Sequence, residues 1–233
     1  MPRGGPDGRM TVVSTPARPG MPVPTPEDTP QSYWDGFYAG LPPRDDLPTP
    51  NALFAEEAAD LSPGRALDLG CGFGGDAIWM AGRGWKVVAV DVSGEALTRA
   101  RSAAEQAGVE VDWQRHDLTA TFPDGAFDLV CTQFLHSPTE LPGQRDAILR
   151  RAMDAVVAGG SLLVTGHAGL PPTMKDTPFD VGLPGLDELR AALDPDPALW
   201  TEATARSTTR EVVGPDGTPF TREDTLLRLV RGA

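Results

Sequence analysis

Apolar and polar residues follow two different patterns along the middle of the chain. Short apolar runs are separated by stretches in which apolar side chains recur at helical spacing. One such helix is predicted to begin after Ser93, a favourable N-cap residue, and to end at Gly108. This alternation is typical of a parallel sheet with crossover helices. The predicted strands are Ala66–Leu69, Val87–Val90, Val111–Gln114, Phe127–Thr132 and Ser161–Thr165.

The C-terminal part of the chain has a different pattern. Leu199–Val213 and Thr225–Arg231 are predicted as two strands joined around Gly214–Gly217, with no helical pattern between them. Such a short connection favours an antiparallel pair. The predicted fold is therefore a doubly wound, Rossmann-like α/β fold. Its seven-stranded sheet is mostly parallel, with an antiparallel C-terminal strand and helices on both faces.

The N-terminal segment is rich in proline. Residues 1–30 hold eight of the 24 prolines and almost no large apolar side chains, so this segment is predicted to be disordered. Residues 31–233 are predicted to form one domain that begins with a helical lid over residues 31–62. Tyr33, Trp34, Phe37 and Tyr38 form an aromatic cluster there. It is either a lid with Tyr33 and Trp34 near a ligand, or an amphipathic helix buried on the sheet.

Composition and charge narrow the range of partners. The 233-residue chain has a formal net charge of −13 and a pI near 4.6, without any run of basic residues. Such a surface repels phosphate backbones, so a nucleic-acid partner is not expected. The sequence has no secretory signal and no apolar run of the ~18 residues that a membrane span needs, and two cysteines do not make a disulfide framework. These features predict a cytoplasmic monomer or homodimer that acts on a small molecule.

A glycine-rich stretch follows the first predicted strand. Gly70, Gly72 and Gly75 fit the spacing G-x-G-x-x-G, which suits a nicotinamide or flavin cofactor equally well. Asp68 ends the buried strand just before these glycines, where a carboxylate needs a partner. A cationic ligand group or a water network would supply that partner. The alternative is a structural aspartate that accepts hydrogen bonds from loop amides.

Two more carboxylates follow neighbouring strands. Asp91 ends the second strand, at the edge where a carboxylate can accept hydrogen bonds from ribose hydroxyls. Its alternative role is to cap the next helix, although Ser93 is a better cap. Asp117 follows the third strand, where it can accept a hydrogen bond from an adenine amino group while Leu118 packs on the ring.

Together these motifs resemble the class I S-adenosylmethionine-dependent methyltransferases. Asp68–Gly74 matches the first motif of that family, Asp91 its acidic residue, and His116–Leu118 its adenine-side motif. Phe127–Val130 and Gly159–Val164 follow in family order. The Trp34-Asp35 segment is similar to small bacterial methyltransferases related to the tellurite-resistance and thiopurine groups. The resemblance implies S-adenosyl-L-methionine as cofactor, bound by Tyr33, Trp34, Asp68, Gly70, Cys71, Gly72, Gly74, Asp91, Val92, Asp117, Leu118 and Gln133.

The three histidines each follow a predicted strand, at the edge where ligands bind. His136 is the best placed to face a transferred methyl group, as a base or a substrate contact, and His167 is a second candidate. The alternative for both is a loop histidine bonded to backbone. Because the separations of His116, His136 and His167 have no metal-ligand spacing, no metal is predicted.

The leading functional prediction is methyl transfer to an O, N or S atom of a small molecule. An alternative keeps the fold and the cofactor but catalyses a non-methylating reaction, or serves a non-catalytic role. A nicotinamide enzyme ranks third, because Lys86 and Lys175 are the only lysines and no tyrosine–lysine pair has dehydrogenase spacing. A non-enzymatic binding module is the fourth possibility.

Overall fold

The computed structural model of the protein describes residues 22–43, 46–169, 182–213 and 217–233. Its helices are α1 (Pro30–Gly40), α2 (Ala52–Ala58), α3 (Gly75–Ala81), α4 (Gly94–Ala107), α5 (Gln144–Asp154) and α6 (Leu186–Leu193). Its strands are β1 (Arg65–Leu69), β2 (Lys86–Asp91), β3 (Asp112–Arg115), β4 (Phe127–Gln133), β5 (Val156–Ala168), β6 (Trp200–Val213) and β7 (Pro219–Arg231).

All seven strands belong to one sheet, in the order β3-β2-β1-β4-β5-β7-β6. Strands β1 to β5 pair in parallel, whereas β7 lies antiparallel between β5 and β6. The chain reverses its direction of winding between β3 and β4, so the carboxyl ends of β1, β2 and β4 meet at the switch point of the sheet. Open α/β sheets bind their ligands at such a point. The predicted fold class is confirmed.

Helices cover both faces of the sheet and create two apolar cores. Side chains from α5 and α6, such as Leu149 and Leu189, pack on one face. Side chains from α2 and α3, such as Phe54 and Met80, pack on the other. Parallel strands that are buried on both faces need continuous apolar sequence, which explains the short apolar runs. No described helix is long and apolar enough to cross a membrane.

Helix α4 begins and ends where the sequence predicts. The hydroxyl of Ser93 accepts a hydrogen bond from the amide of Ala96 at 3.2 Å. At the other end Gly108 has a φ of 69°, the left-handed conformation of a helix C-cap. These local signals place Asp91 and Ser93 in the turn between β2 and α4.

Two strands are longer than predicted. β5 begins at Val156, which pairs with Phe127, and β7 begins at Pro219, which pairs with Val213. The added part of β7 is polar and lies in a two-stranded ribbon at the end of the sheet. Apolar patterning does not mark such a ribbon, because few of its side chains are buried. The predicted turn at 214–216 lies outside the described residues.

The structured part of the chain begins before the predicted boundary at Gln31. The hydroxyl of Thr29 accepts a hydrogen bond from the amide of Ser32 at 3.1 Å and caps α1. The Tyr33 hydroxyl donates to the carbonyl of Pro22 at 2.8 Å. Residues 22–30 of the segment predicted to be disordered therefore contact the domain. Residues 1–21 lie outside the described residues.

Candidate active site

The glycine loop after β1 is held against the end of β2. The amides of Gly70 and Cys71 both donate to the carbonyl of Val90 at 2.9 Å. Gly70 and Gly72 have φ values of 73° and 53°, a conformation that residues with a Cβ rarely adopt. A Cβ at Gly72 would also lie only 3.0 Å from the hydroxyl oxygen of Tyr38. Glycine is therefore required both by the turn and by the approach of α1.

Asp91 ties the glycine loop to the start of α4. Its Oδ2 accepts a hydrogen bond from the Gly72 amide, and its Oδ1 accepts one from the Ser93 amide, both at 2.9 Å. Each carboxylate oxygen can accept a second hydrogen bond, so the group can still bind two ligand hydroxyls. Burial raises the pKa of this carboxyl, and the amides oppose the rise. Asp91 can therefore hold the start of α4 and bind ligand hydroxyls at the same time.

Asp117 and Leu118 lie beside Asp91, after the neighbouring strand β3. Oδ1 of Asp117 accepts hydrogen bonds from the amide and the hydroxyl of Thr119, at 3.0 and 2.6 Å. Its Oδ2 accepts none from the described residues and remains available to a ligand donor. The buried side chain of Leu118 provides an apolar surface next to it.

One pocket, called here the main pocket, joins these groups to the ends of β4 and α5. Of the predicted site residues, the main pocket is lined by Trp34, Gly70, Asp91, Val92, Asp117, Leu118 and His136. Those that do not line it are Tyr33, Asp68, Cys71, Gly72, Gly74, Gln133 and His167. Tyr38 of the aromatic cluster and His116 of the adenine-side motif also line it, and lining residues that sequence reasoning did not assign include Ser137, Glu140, Gln144 and Arg145.

Helix α1 lies over the main pocket and is fixed at two points. The indole nitrogen of Trp34 donates to the hydroxyl of Ser137 at 3.1 Å. The hydroxyl of Ser93 donates to Asp35 at 2.7 Å. Trp34 lines the main pocket beneath this helix. Tyr33 does not line it, because its side chain is buried and its hydroxyl donates to the carbonyl of Pro22. The placement of both residues beside a ligand stays a prediction.

Asp68 lies beneath the glycine loop, and its exposed fraction is only 1%. No described group donates a hydrogen bond to its Oδ2. Burial, followed by the negative charges of Asp76 and Asp91, raises the pKa of Asp68 well above its usual value. The thiol of Cys131, 3.9 Å from Oδ1, offsets this only in part. A buried acid with one oxygen left without a partner fits a cationic group bound above it.

Cys71 and Cys131 are both free thiols. Burial raises the pKa of each well above its usual value, so neither is a ready thiolate. Gln133, two residues after Cys131 on β4, keeps its side-chain nitrogen and oxygen buried without a hydrogen-bond partner among the described residues. Its side chain is therefore polar and unsatisfied, but it does not line the pocket.

His136 lines the main pocket, and its Nδ1 is buried without a hydrogen-bond partner among the described residues. Burial is the largest cause that lowers its pKa, to about 4, followed by the nearby His167, Arg222 and Arg145. The imidazole is therefore neutral at neutral pH. It follows Phe134, whose φ of 58° places it in the left-handed region and turns the chain at the end of β4.

His167 does not reach the main pocket. It lines a smaller pocket that it shares with His136 and Arg145, and its ring stacks on Phe134 with centroids 4.1 Å apart. Burial lowers the pKa of His167 to about 4, although Asp224 opposes the shift. The rings of His136 and His167 are 5.9 Å apart. Among the described residues, no three histidine, cysteine or acidic side chains form a possible metal site.

A seven-stranded sheet with an antiparallel seventh strand beside the fifth, and a glycine loop after β1, form the class I methyltransferase fold. Residues 66–160 match a family model described as "Methyltransferase domain". Residues 66–160 therefore carry a methyltransferase domain. Both the predicted family and the predicted cofactor are confirmed.

Curated relatives match about half of the chain. The ribosomal RNA small subunit methyltransferase C of Alcanivorax borkumensis is 31% identical over 114 residues, which cover 47% of this chain and 34% of that protein. The ubiquinone biosynthesis O-methyltransferase of Burkholderia vietnamiensis is 34% identical over 116 residues, which cover 48% and 50%. The chain thus spans no more than half the length of these relatives.

Solved structures resemble a larger share of the chain. A structure described as "Conversion of a Disulfide Bond into a Thioacetal Group during Echinomycin Biosynthesis" has a TM-score of 0.66 at 24% identity, and the match covers 87% of this chain and 93% of that one. The N-methyltransferase NodS of Bradyrhizobium japonicum, in complex with S-adenosyl-L-homocysteine, has a TM-score of 0.58 at 16% identity, and covers 78% and 84%. At these identities the likeness shows the fold.

Proposed function

We propose that this protein transfers the methyl group of S-adenosylmethionine to an O, N or S atom of a small molecule. The observation that carries the proposal is the composition of the main pocket. Asp91 and Asp117 line it on the β2–β3 side of the sheet, and His136 and Arg145 line it on the β4–α5 side. A single pocket therefore has room for a nucleoside at acidic hydrogen-bond acceptors and for a second reactant next to it.

The cofactor residues divide into three groups. Asp91 accepts hydrogen bonds from the ribose hydroxyls, with Val92 beside it, and Asp117 accepts one from the adenine amino group while Leu118 packs on the ring. The glycine loop lets the methionine part approach the backbone without a Cβ in the way. Asp68 beneath the loop, together with the amide of Gln133, complements its ammonium group. These unsatisfied polar atoms support the assignment.

The chemistry needs little from the protein beyond positioning. The sulfonium is an activated leaving group, so the transfer is an in-line displacement whose rate depends on alignment and on exclusion of water. Trp34 in the lid covers the pocket and is held by Ser137, which follows β4. His136 contacts the acceptor from the same segment. His167 supports His136 from behind, in the smaller pocket.

Charge supports a small acceptor over a nucleic acid. The net charge of −13 opposes the approach of a phosphate backbone. Helix α1, held by hydrogen bonds to Ser137 and Ser93, also covers the pocket. A base turned out of a nucleic acid would have to enter that pocket. RNA and small-molecule acceptors both occur among the names of the relatives, and those names describe the relatives alone.

Calorimetry tests the cofactor half of the proposal. S-adenosylmethionine and S-adenosylhomocysteine should bind, and NAD should not. Asp91→Ala should weaken binding by about 1.5–3 kcal/mol, the usual loss for hydrogen bonds to a charged group. Asp124→Ala removes an exposed carboxylate outside the pocket and serves as the matched control. Tight binding of NAD without an S-adenosylmethionine signal would refute the proposal.

Product analysis with methyl-labelled cofactor tests the reaction. Label transferred to a small molecule supports methyl transfer. Cofactor that stays intact while an added substrate is rearranged or cyclised would instead identify the non-methylating alternative. Cofactor binding without any turnover would favour a non-catalytic role.

A further inference from the structure

The wall of the main pocket between β4 and α5 carries an arginine, Arg145, whose charge the cofactor does not explain. Arg145 lines both the main pocket and the smaller pocket behind His136. One guanidinium nitrogen donates to the carbonyl of Gly182, while its Nε is buried and has no partner among the described residues. No described carboxylate forms an ion pair with it. Arg145 thus presents an incompletely satisfied cation to the pocket.

The position of Arg145 in its helix makes this arrangement costly by itself. Arg145 is the second residue of α5, where the helix dipole disfavours a positive charge. Asp146 follows it and Glu140 lies nearby, yet neither pairs with its guanidinium. Burial raises the pKa of Glu140, and Arg145 only partly opposes that rise. A half-buried cation at a helix N-terminus, with a buried Nε that has no partner among the described residues, is better explained when an anion binds against it.

A second arginine acts on His136. Arg222 on β7 also has a buried Nε without a partner among the described residues. Both Arg145 and Arg222 act on His136, since both lower its pKa. Asp224, an acid on the same side of the sheet, is already bonded to His167 and Arg210. No described carboxylate is therefore paired with Arg145, which leaves its charge free to bind an anionic ligand.

We propose that the methyl acceptor binds as an anion, with its carboxylate, thiolate or acidic phenol or enol oxygen held by Arg145 beside neutral His136. This inference rests on the proposed function and names the acceptor class for the same pocket. The acceptor's lone pair forms the bond to the methyl carbon, and the electrons of the breaking carbon–sulfur bond go to sulfur. A carboxylate becomes a neutral ester, a phenolate or enolate an ether and a thiolate a thioether, while the sulfonium becomes a neutral thioether and no proton is transferred.

The charges that line the pocket and the low pKa of His136 both agree with an anionic acceptor. The acids on the β2–β3 side attract the cationic cofactor, and the arginine attracts the anionic acceptor, so both charges are held next to each other. A histidine with a pKa of about 4 is a weak base at neutral pH. An acceptor that has already lost its proton needs no base. Transfer in a covered pocket then removes two buried charges at once, which favours the product.

A chromogenic anion tests the inference without turnover. The probe is 4-nitrophenol, whose phenolate absorbs visible light while the neutral phenol does not. It is titrated with pH in the presence of full-length protein saturated with S-adenosylhomocysteine. The bound probe should have a pKa lower than that of the free probe by about one unit, which means that the phenolate binds about tenfold tighter than the phenol.

Three variants assign the effect to Arg145. Arg145→Gln should abolish the lowering of the probe's pKa, whereas Arg145→Lys should keep part of it because the charge remains. Arg150→Gln removes an exposed arginine from the same helix and should behave as wild type. Saturation with S-adenosylhomocysteine, measured by calorimetry for each variant, shows that the pocket is still folded.

The outcomes separate the two proposals. If the wild-type protein does not bind S-adenosylhomocysteine, the proposed function is refuted, and the inference with it. Normal binding of S-adenosylhomocysteine would leave the proposed function in place. In that case, the inference is overturned by absence of probe binding, by an unchanged or raised probe pKa, or by a lowering that persists in Arg145→Gln.

Discussion

Nδ1 of His167 lies 2.6 Å from Oδ1 of Asp224, although the two residues are 57 positions apart in the chain. They face each other because β5 and β7 pair antiparallel with His167 opposite Asp224. The other oxygen of Asp224 accepts a hydrogen bond from Arg210 on β6 at 2.6 Å. The C-terminal strands therefore do more than complete the sheet, because they orient a histidine at the ligand-binding edge.

Asp224→Asn should lower the pKa of His167 further below its value of about 4. The reason is that Asp224 is the group that opposes the effects of burial and of Arg222 on this imidazole. Loss of the charged hydrogen bond should also reduce the free energy of unfolding by about 1–3 kcal/mol. Histidine NMR titration and urea unfolding measure the two effects. Glu223→Gln, an exposed neighbour on β7, is the control, and an unchanged His167 titration would contradict the assignment.

His136→Ala should raise the KM for the acceptor more than it lowers kcat. A neutral imidazole that contacts an anionic acceptor contributes to binding and alignment, and its loss should leave cofactor affinity unchanged. Steady-state kinetics with a transferred label separates the two parameters. A ~10²–10⁴-fold loss of kcat would instead identify His136 as the general base. Loss of stability with activity that follows the folded fraction would identify a structural role.

Trp34→Phe and Ser137→Ala should have equal and non-additive effects on activity. Each removes the 3.1 Å hydrogen bond that latches α1 over the main pocket. A neutral hydrogen bond contributes about 0.5–1.5 kcal/mol, so each variant should lose roughly 2- to 10-fold in kcat/KM. The double variant should lose no more than either single variant if the bond is the shared cause. Fully additive losses would mean that the two residues act independently.

Asp76→Asn should stabilise the cofactor-free protein more at neutral pH than at pH 4. Burial raises the pKa of Asp76 from 3.8 to about 6, so the folded state binds more protons than the unfolded state between these values. Wild-type stability is therefore lost as pH rises through this window, and asparagine removes that loss. The gain should reach roughly 1–3 kcal/mol at pH 7.

The matched control for this prediction is Asp124→Asn, which changes an exposed carboxylate. The amide oxygen of asparagine can still accept the hydrogen bond that the Asn51 amide donates to Asp76 at 2.7 Å. Urea unfolding at several pH values gives the difference between variant and wild type. A difference that does not change with pH would show that Asp76 titrates in the folded state as it does in the unfolded state.

The sequence by itself determined the class of fold, the number of strands in the sheet and the position of the glycine loop after the first strand. Parallel strands are buried on both faces, so their apolar runs are visible in the sequence. The glycine loop and the acids Asp68, Asp91 and Asp117 each belong to a strand end, and the carboxyl ends of parallel strands meet at one edge. Local chemistry and topology together were therefore sufficient to bring Gly70, Asp91 and Asp117 to the same region.

Only the tertiary structure decided which aromatic side chain faces the main pocket and which charged side chains meet near the histidines of that pocket. Tyr33 and Trp34 are neighbours with similar chemistry, and the rotation of α1 on the domain buries one while the other covers the pocket. Arg145 reaches the pocket because α5 starts beside the end of β4. Asp224 meets His167 through antiparallel register. Such contacts depend on how elements pack and pair over long separations in the chain, which no local pattern encodes.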